Sequence, residues 1–306
     1  MPLFDNPRPF GARAIAFVFQ GGGSLTAAQV GMLWALTEAG VAPDLVVGSS
    51  AGALNAVAFA SDPSPGGLDH LEAAWVSLRR RRVAPFSLRA LLAALAGRGD
   101  AFVSDTALQV LLERAALART LRETCVPAHV MATDLATGAP VVLSNGDTIR
   151  ALLASSAFPG LYRSIEVGGR LVVDGGVSAD VPVLQAEALG ANLTYVLPAA
   201  TWDVAQPLPH RPLPQAYHAL RQLLDAAARR DVAAAERPLH VLPAPTTRIV
   251  NPIDFRDTAQ LIDNGYRLAA DWLAINATQT TRARDRAAGH PTARRRTSSA
   301  PAEKLT

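Results

Sequence analysis

Three groups of residues in this 306-residue chain have types and spacings that could do chemistry. The first is Gly48-Ser49-Ser50-Ala51-Gly52, with the apolar run Leu45-Val46-Val47 before it and a helix-compatible run from Ala53 to Ala60 after it. In a G-x-S-x-G elbow a sharp strand-to-helix turn exposes one hydroxyl as a nucleophile. Its glycines, here Gly48 and Gly52, are required because a strained turn leaves no room for Cβ atoms around the serine. The hydroxyl also lands at a helix N-terminus, where the macrodipole favours developing negative charge. The plainer reading is a small-residue helix start with Ser50 as its cap.

The second group is Gly21-Gly22-Gly23, in the loop Q-G-G-G-S-L-T. Its backbone N–H groups are unobstructed by side chains and precede a helix, which suits a tetrahedral oxyanion or a phosphate. The loop fits neither G-x-G-x-x-G nor a lysine-bearing phosphate loop, which weighs against nucleotide binding. The third group is Asp174-Gly175-Gly176, at the end of the apolar strand Leu171-Val172-Val173. A carboxylate is a weak base in water, but partial desolvation raises its proton affinity enough to serve. A solvated Asp-Gly-Gly turn is the ordinary alternative. Together the three supply what serine ester hydrolysis needs: Ser50 as nucleophile, Asp174 as base, and Gly21 to Gly23 for the oxyanion.

These groups need elements to hold them. Ala14 to Phe19 is a continuous apolar run, as in a strand buried on both faces. Ala27 to Ala39 carries Val30, Leu33, Trp34 and Leu36 near helical spacing, and Gly40 stops it. Leu45 to Val47 is the next strand. A right-handed crossover between these strands would bring the glycine loop and the serine turn to one edge of a parallel sheet. Leu68, Leu71, Trp75 and Leu78 mark an amphipathic helix running into Arg79 to Arg82. Ser87 to Ala96 and Asp105 to Leu117 read as further helices, giving a helical insertion over about 68–118. Strands follow at Ala128 to Thr133 and Pro140 to Leu143, then a helix from Asp147 to Ala157. Ser164 to Val167 and Arg170 to Val173 read as a hairpin. Pro182 opens a helix to Leu189, and Leu193 to Leu197 is a buried strand. Pro198 to Pro214 is a proline-rich loop. Helices over Gln215 to Arg230 and Asp254 to Ala274 flank a short strand at Leu239 to Leu242.

Composition bounds the rest. Hydrophobic residues make up 49% of the chain, ample for one large core. The single cysteine, Cys125, cannot build a disulfide framework or a cysteine-based metal site, and reads as a packing residue. The N-terminus lacks a basic start followed by an apolar stretch, so no secretory signal is expected. No apolar run approaches the roughly 18 residues that span a bilayer. A cytoplasmic protein is expected, with one hydrolase domain over 1–275. The remaining segment, 276–306, is polar, basic and expected to be disordered. Its six arginines could favour peripheral contact with an anionic membrane.

The motifs in order resemble the patatin-like phospholipases: the glycine loop Gly21-Gly22-Gly23, the elbow Gly48 to Gly52, and Asp174-Gly175-Gly176. Ala154 to Gly160 and Val177 to Gly190 also resemble that family, and the likeness covers roughly Ile15 to Leu197. The resemblance implies a three-layer α/β/α fold with a mainly parallel central sheet, a Ser50–Asp174 dyad and an oxyanion hole at the glycine loop. It implies hydrolysis of lipid acyl esters with no metal; no cofactor and no nucleic-acid partner are expected. Two positions depart from the family's pattern: Thr26, where a further glycine is usual, and Asp180, where an asparagine is common. Two other readings stay open. One is a Ser–Asp–His hydrolase, since His210, His218, His240 and His290 follow Asp174 in order. The other is a non-catalytic membrane-surface or interaction protein that keeps the fold and whose working part is the basic tail.

Overall fold

A computed structural model of the chain describes residues 14–78, 118–201, 210–246 and 254–288. The chain begins with β1 (Ile15–Phe19), a 3-10 turn at Gly23–Thr26 and α1 (Ala27–Glu38). Then come β2 (Leu45–Ser49), α2 (Ala51–Ser61) and α3 (Pro65–Ser77), followed by β3 (Ala128–Asp134) and β4 (Pro140–Leu143). Next are α4 (Thr148–Ser155), the hairpin β5 (Ile165–Val167) and β6 (Arg170–Asp174), and the short α5 (Gly176–Ala179). The chain continues through α6 (Val183–Ala188), β7 (Leu193–Leu197), α7 (Pro212–Ala234), β8 (Leu239–Val241) and α8 (Thr258–Ala288).

The eight strands form one sheet, and β3, β2, β1, β7 and β8 lie parallel in that order. Strands β4, β5 and β6 join antiparallel at the β3 side. Helices cover both faces, which makes the fold a three-layer α/β/α sandwich with a mainly parallel sheet. The alternation along each strand sets the layers. Phe17, Phe19 and Val46 point into a core shared with α1, α2, α3, α4 and α8. Ala16, Val18, Leu45 and Val47 point to the opposite core, under α5, α6 and α7.

One detail of register decides where the chemistry falls. Strand β3 pairs with β2 over Ala128 to Met131, with β6 over Ala132 to Asp134, and with β4 over Val130 to Thr133. A strand residue has one neighbour on each edge, and β4 overlaps both other registers. So β2 and β6 must share the edge of β3 that β4 does not occupy, lying end to end along it. Ser49 ends one strand beside Met131, and Asp174 ends the other beside Ala132.

Several boundaries differ from the sequence reading. Strand β2 runs on to Ser49 and β6 to Asp174, because neighbouring strands offer pairing that local pattern cannot show. Asp147 is the N-cap of α4 rather than part of it, its carboxylate accepting from the N–H of Arg150. Helix α5 was not anticipated, since a one-turn helix opened by glycine has no periodicity to read. Helix α8 begins later than Asp254 and continues past Asn276 to Ala288. The stretch R-A-R-D-R-A-A favours helix, and no glycine intervenes before Gly289. The Arg79 to Arg82 run, the segments Ser87 to Ala96 and Asp105 to Leu117, part of the proline-rich loop, and the tail beyond residue 288 lie outside the described residues. Among those described, no helix is long and apolar enough to cross a membrane.

Candidate active site

The turn at the end of β2 is strained in the way its sequence demands. Ser50 has φ 52° and ψ −130°, and among the described residues it alone has positive φ without being glycine. Such backbone costs on the order of 1–3 kcal/mol and persists only where surroundings enforce it. Here they do. A Cβ on Gly52 would lie 2.3 Å from the carbonyl oxygen of Gln20, and one on Gly48 would lie 2.6 Å from the Cα of Ala53. The two glycines thus let α2 start hard against both β1 and its own turn, with the Ser50 side chain facing outward from the bend.

The side chain of Ser50 donates from Oγ to Asp174 Oδ2 at 2.6 Å, across 124 residues of sequence. The other carboxylate oxygen, Oδ1, accepts from the N–H of Gly176 at 2.7 Å. The backbone of Asp174 is equally tied: its N–H donates to the carbonyl of Ala157, and its carbonyl accepts from Thr133 Oγ1. Thr133 spends its only proton there, so Ser178 Oγ, 2.8 Å away, must be the donor between those two hydroxyls.

Ser155, at the end of α4, holds both halves together. Its Oγ accepts from the N–H of Ser50 at 2.9 Å, and its carbonyl accepts from the N–H of Gly175 at 3.2 Å. No role for Ser155 was read from the sequence, though it lies in the family-like segment Ala154 to Gly160. A hydroxyl that reaches a strained turn leaves no local signature.

Asp174 is 3% exposed. Burial is the chief reason its pKa is pushed up to about 7; the bonds from Ser50 and Gly176 oppose the rise, and the charge of Asp180 adds to it. A carboxylate with that proton affinity can accept a proton near neutral pH, which an exposed aspartate does poorly.

The glycine loop packs over the same place. A Cβ on Gly21 would lie 3.2 Å from Ser50 Cβ. The N–H of Gly21, however, donates to the carbonyl of Asp180 at 3.1 Å, so it is not available for an oxyanion. Among the described residues the N–H groups of Gly22 and Gly23 have no partner, and these are the loop's free donors. The departure at Thr26 leaves the loop tight: Thr26 Oγ1 donates to the carbonyl of Gly23 at 2.8 Å.

Among the described residues the histidines lie elsewhere. His129 is half-buried in β3, its Nδ1 2.8 Å from Ser144 Oγ, and desolvation lowers its pKa to about 4. His240 packs between two aromatic rings, tilted against Tyr195 and edge-on to Trp272. Among the described residues no histidine is hydrogen-bonded to Ser50 or Asp174, and no cluster of three or more His, Cys, Asp or Glu side chains could hold a metal.

Comparison with known proteins bears on this arrangement. A patatin-like phospholipase family model matches residues 17–187, more than half of the chain. Patatin-like phospholipase domain-containing protein 7 of Mus musculus is 27% identical over 192 residues, which cover 62% of this chain and 14% of that protein. An uncharacterized NTE family protein of Mycobacterium tuberculosis is 31% identical over 192 residues, covering 60% of this chain and 48% of the relative. The matched region therefore spans less than half the length of these curated relatives. Among solved structures, VipD from Legionella pneumophila aligns with a TM-score of 0.43 at 13% identity, over 88% of this chain and 70% of that one.

Proposed function

The chain belongs to the patatin-like phospholipase family, and on that premise we propose that it is a serine hydrolase of lipid acyl esters acting through a Ser50–Asp174 dyad. The observation that carries the reading is the 2.6 Å hydrogen bond from Ser50 Oγ, at a strained elbow, to a buried carboxylate. Serine is a poor nucleophile until its proton has somewhere to go. Asp174 Oδ2 lies in line to take it.

In this mechanism Ser50 Oγ attacks the acyl carbonyl carbon as its proton passes to Asp174. The oxyanion of the tetrahedral intermediate is stabilised by the N–H groups of Gly22 and Gly23 and by the N-terminus of α2. The carbon–oxygen bond to the leaving alcohol then breaks, and Asp174 returns its proton to that alcohol. Water attacks the acyl-Ser50 ester with Asp174 again as base. The acid leaves and Ser50 regains its proton. The N–H of Gly176 fixes Asp174 Oδ1 throughout, so only Oδ2 exchanges the proton.

The test is purified protein assayed on p-nitrophenyl esters of graded chain length, phospholipids and lysophospholipids, with fluorophosphonate labelling alongside. Turnover together with covalent labelling at Ser50 is the expected result. Folded protein that neither labels nor turns over any of these esters would favour a non-catalytic protein on the same fold.

A further inference from the structure

The structure gives the side chain of Asp180 a specific place. Asp180 is 5% exposed, and its carboxylate sits against the glycine loop on one side and Gly176 on the other. A Cβ on Gly21 would lie 2.6 Å from Asp180 Oδ1. A Cβ on Gly176 would lie 3.0 Å from that oxygen and 3.1 Å from Asp174 Oδ1. The two carboxylate oxygens are therefore no further apart than about 6 Å, within the range where one charge alters a neighbour's protonation.

Burial pushes the pKa of Asp180 up, the Asp225 charge adds to the rise, and Arg221 and Gln20 oppose it by favouring the charged form. Gln20 Oε1 accepts from the N–H of Ala199, which fixes the amide's orientation and turns Nε2 toward Asp180 Oδ2 at 2.9 Å. From α7, Arg221 Nη1 lies 3.9 Å from the same oxygen, while its Nη2 pairs with Asp225 at 2.7 Å. Behind that pair, Arg229 and His218 act on Asp225. The charged and titratable groups around Asp180 thus come from two elements, Asp174 on β6 and Arg221 with Asp225 on α7, and the neutral amide of Gln20 adds a hydrogen bond from the end of β1.

Resting on the dyad reading, we infer that Asp180 is a positioning residue: a buried carboxylate whose ionised form Gln20 and Arg221 support against burial, and whose charge makes Asp174 hold the Ser50 proton more tightly. A neutral side chain in its place would leave Asp174 a weaker base. The direction agrees with the upward contribution of Asp180 to the proton affinity of Asp174. Helix α7, remote in sequence, would then tune the dyad through one guanidinium.

The experiment is an NMR titration of the full chain carrying 13C-carboxyl aspartate, with the pH dependence of kcat/KM measured in parallel. In Asp180→Asn, the Asp174 midpoint should fall by about one pH unit, and the acid limb of kcat/KM should fall with it. In Arg221→Met, the midpoint of Asp180 itself should rise by about one unit as its cation is lost. Should Asp180→Asn fail to fold, Arg221→Met carries the test, and an unmoved Asp180 midpoint there overturns the inference. So does an Asp180→Asn protein whose activity drops equally at every pH while the Asp174 midpoint stays at its wild-type value. A wild-type protein that shows the expected titrations but hydrolyses no ester would instead overturn the proposed function and leave the coupled carboxylates standing.

Discussion

The glycine loop lies between two buried polar clusters that differ in kind. On the α1 and α2 side every member is neutral. Gln29 donates to the carbonyls of Gln20 and Leu197, Asn55 donates to Gln29 and to the carbonyl of Thr26, and Trp75 donates to Asn55. On the α5 and α7 side are two carboxylates and a guanidinium: Asp174, Asp180 and Arg221. Gln20 joins them, its carbonyl in the first cluster and its side chain in the second. The amide cluster grips the loop before Gly21 and at Thr26, and nothing in it titrates near neutrality. The charged cluster is where a proton can move. Rigidity and reactivity have been separated onto opposite sides of one loop, so each can be broken without the other.

The largest effect should come from the charged side. Ser50→Ala and Asp174→Asn should each lower kcat/KM by about ten thousandfold or more while circular dichroism stays native. Near-native activity of either protein on any ester would remove the dyad. Next is the loop itself. Gly22 has φ 157°, and a Cβ there would lie 2.7 Å from the Ala199 side chain, so Gly22→Val must displace a free N–H. A loss of about a hundredfold in kcat is expected. An unchanged kcat would mean that the loop donates nothing to the oxyanion.

Breaking the amide side should act mainly on stability. Asn55→Ala strips partners from Trp75 Nε1, Gln29 Oε1 and the Thr26 carbonyl, all in a buried setting. A cost of about 2–4 kcal/mol in denaturant unfolding is expected, with the shape of the pH–rate profile unaltered. A shifted acid limb in that protein would show that the two clusters are not separable.

The smallest effect is a gain. Burial raises the pKa of Asp174 from 3.8 to about 7. Between those values the folded state binds the proton more tightly than the unfolded state, so this group's contribution to stability is lost as pH rises toward 7. Asp174→Asn carries no ionisation cost. At pH 8 it should be more stable than wild type by about 1 kcal/mol, with the difference fading toward pH 4. A thermal shift series across that range checks it, and wild type being the more stable at pH 8 would contradict the burial argument.

Much of this was legible beforehand because the chemistry sits at ends of local elements. The elbow announces itself through Gly48 and Gly52, and both are required by backbone contacts closer than a Cβ allows. Asp174 was legible because an apolar strand runs straight into it. Less legible were the residues that act by reaching across: Ser155 and Gln20 bond groups 105 and 160 residues away in sequence, and Arg221 pairs with Asp180 from another element. Asp180 stood out only as a departure, with nothing local to say what it faced.

Among the described residues the sequence by itself determined the order of the strands and of the helices other than α5, the kind of turn at Ser50, and which side chains could act as nucleophile and base. Those are properties of short windows, set by glycine conformation, apolar period and helix-terminal electrostatics. Only the tertiary structure decided that β2 and β6 lie end to end along one edge of β3, and hence that Ser50 meets Asp174. It also decided that Gly21 spends its N–H on Asp180 while Gly22 and Gly23 keep theirs. Strand register is chosen by the packing of all the layers together, and no local pattern states which edge a strand will take.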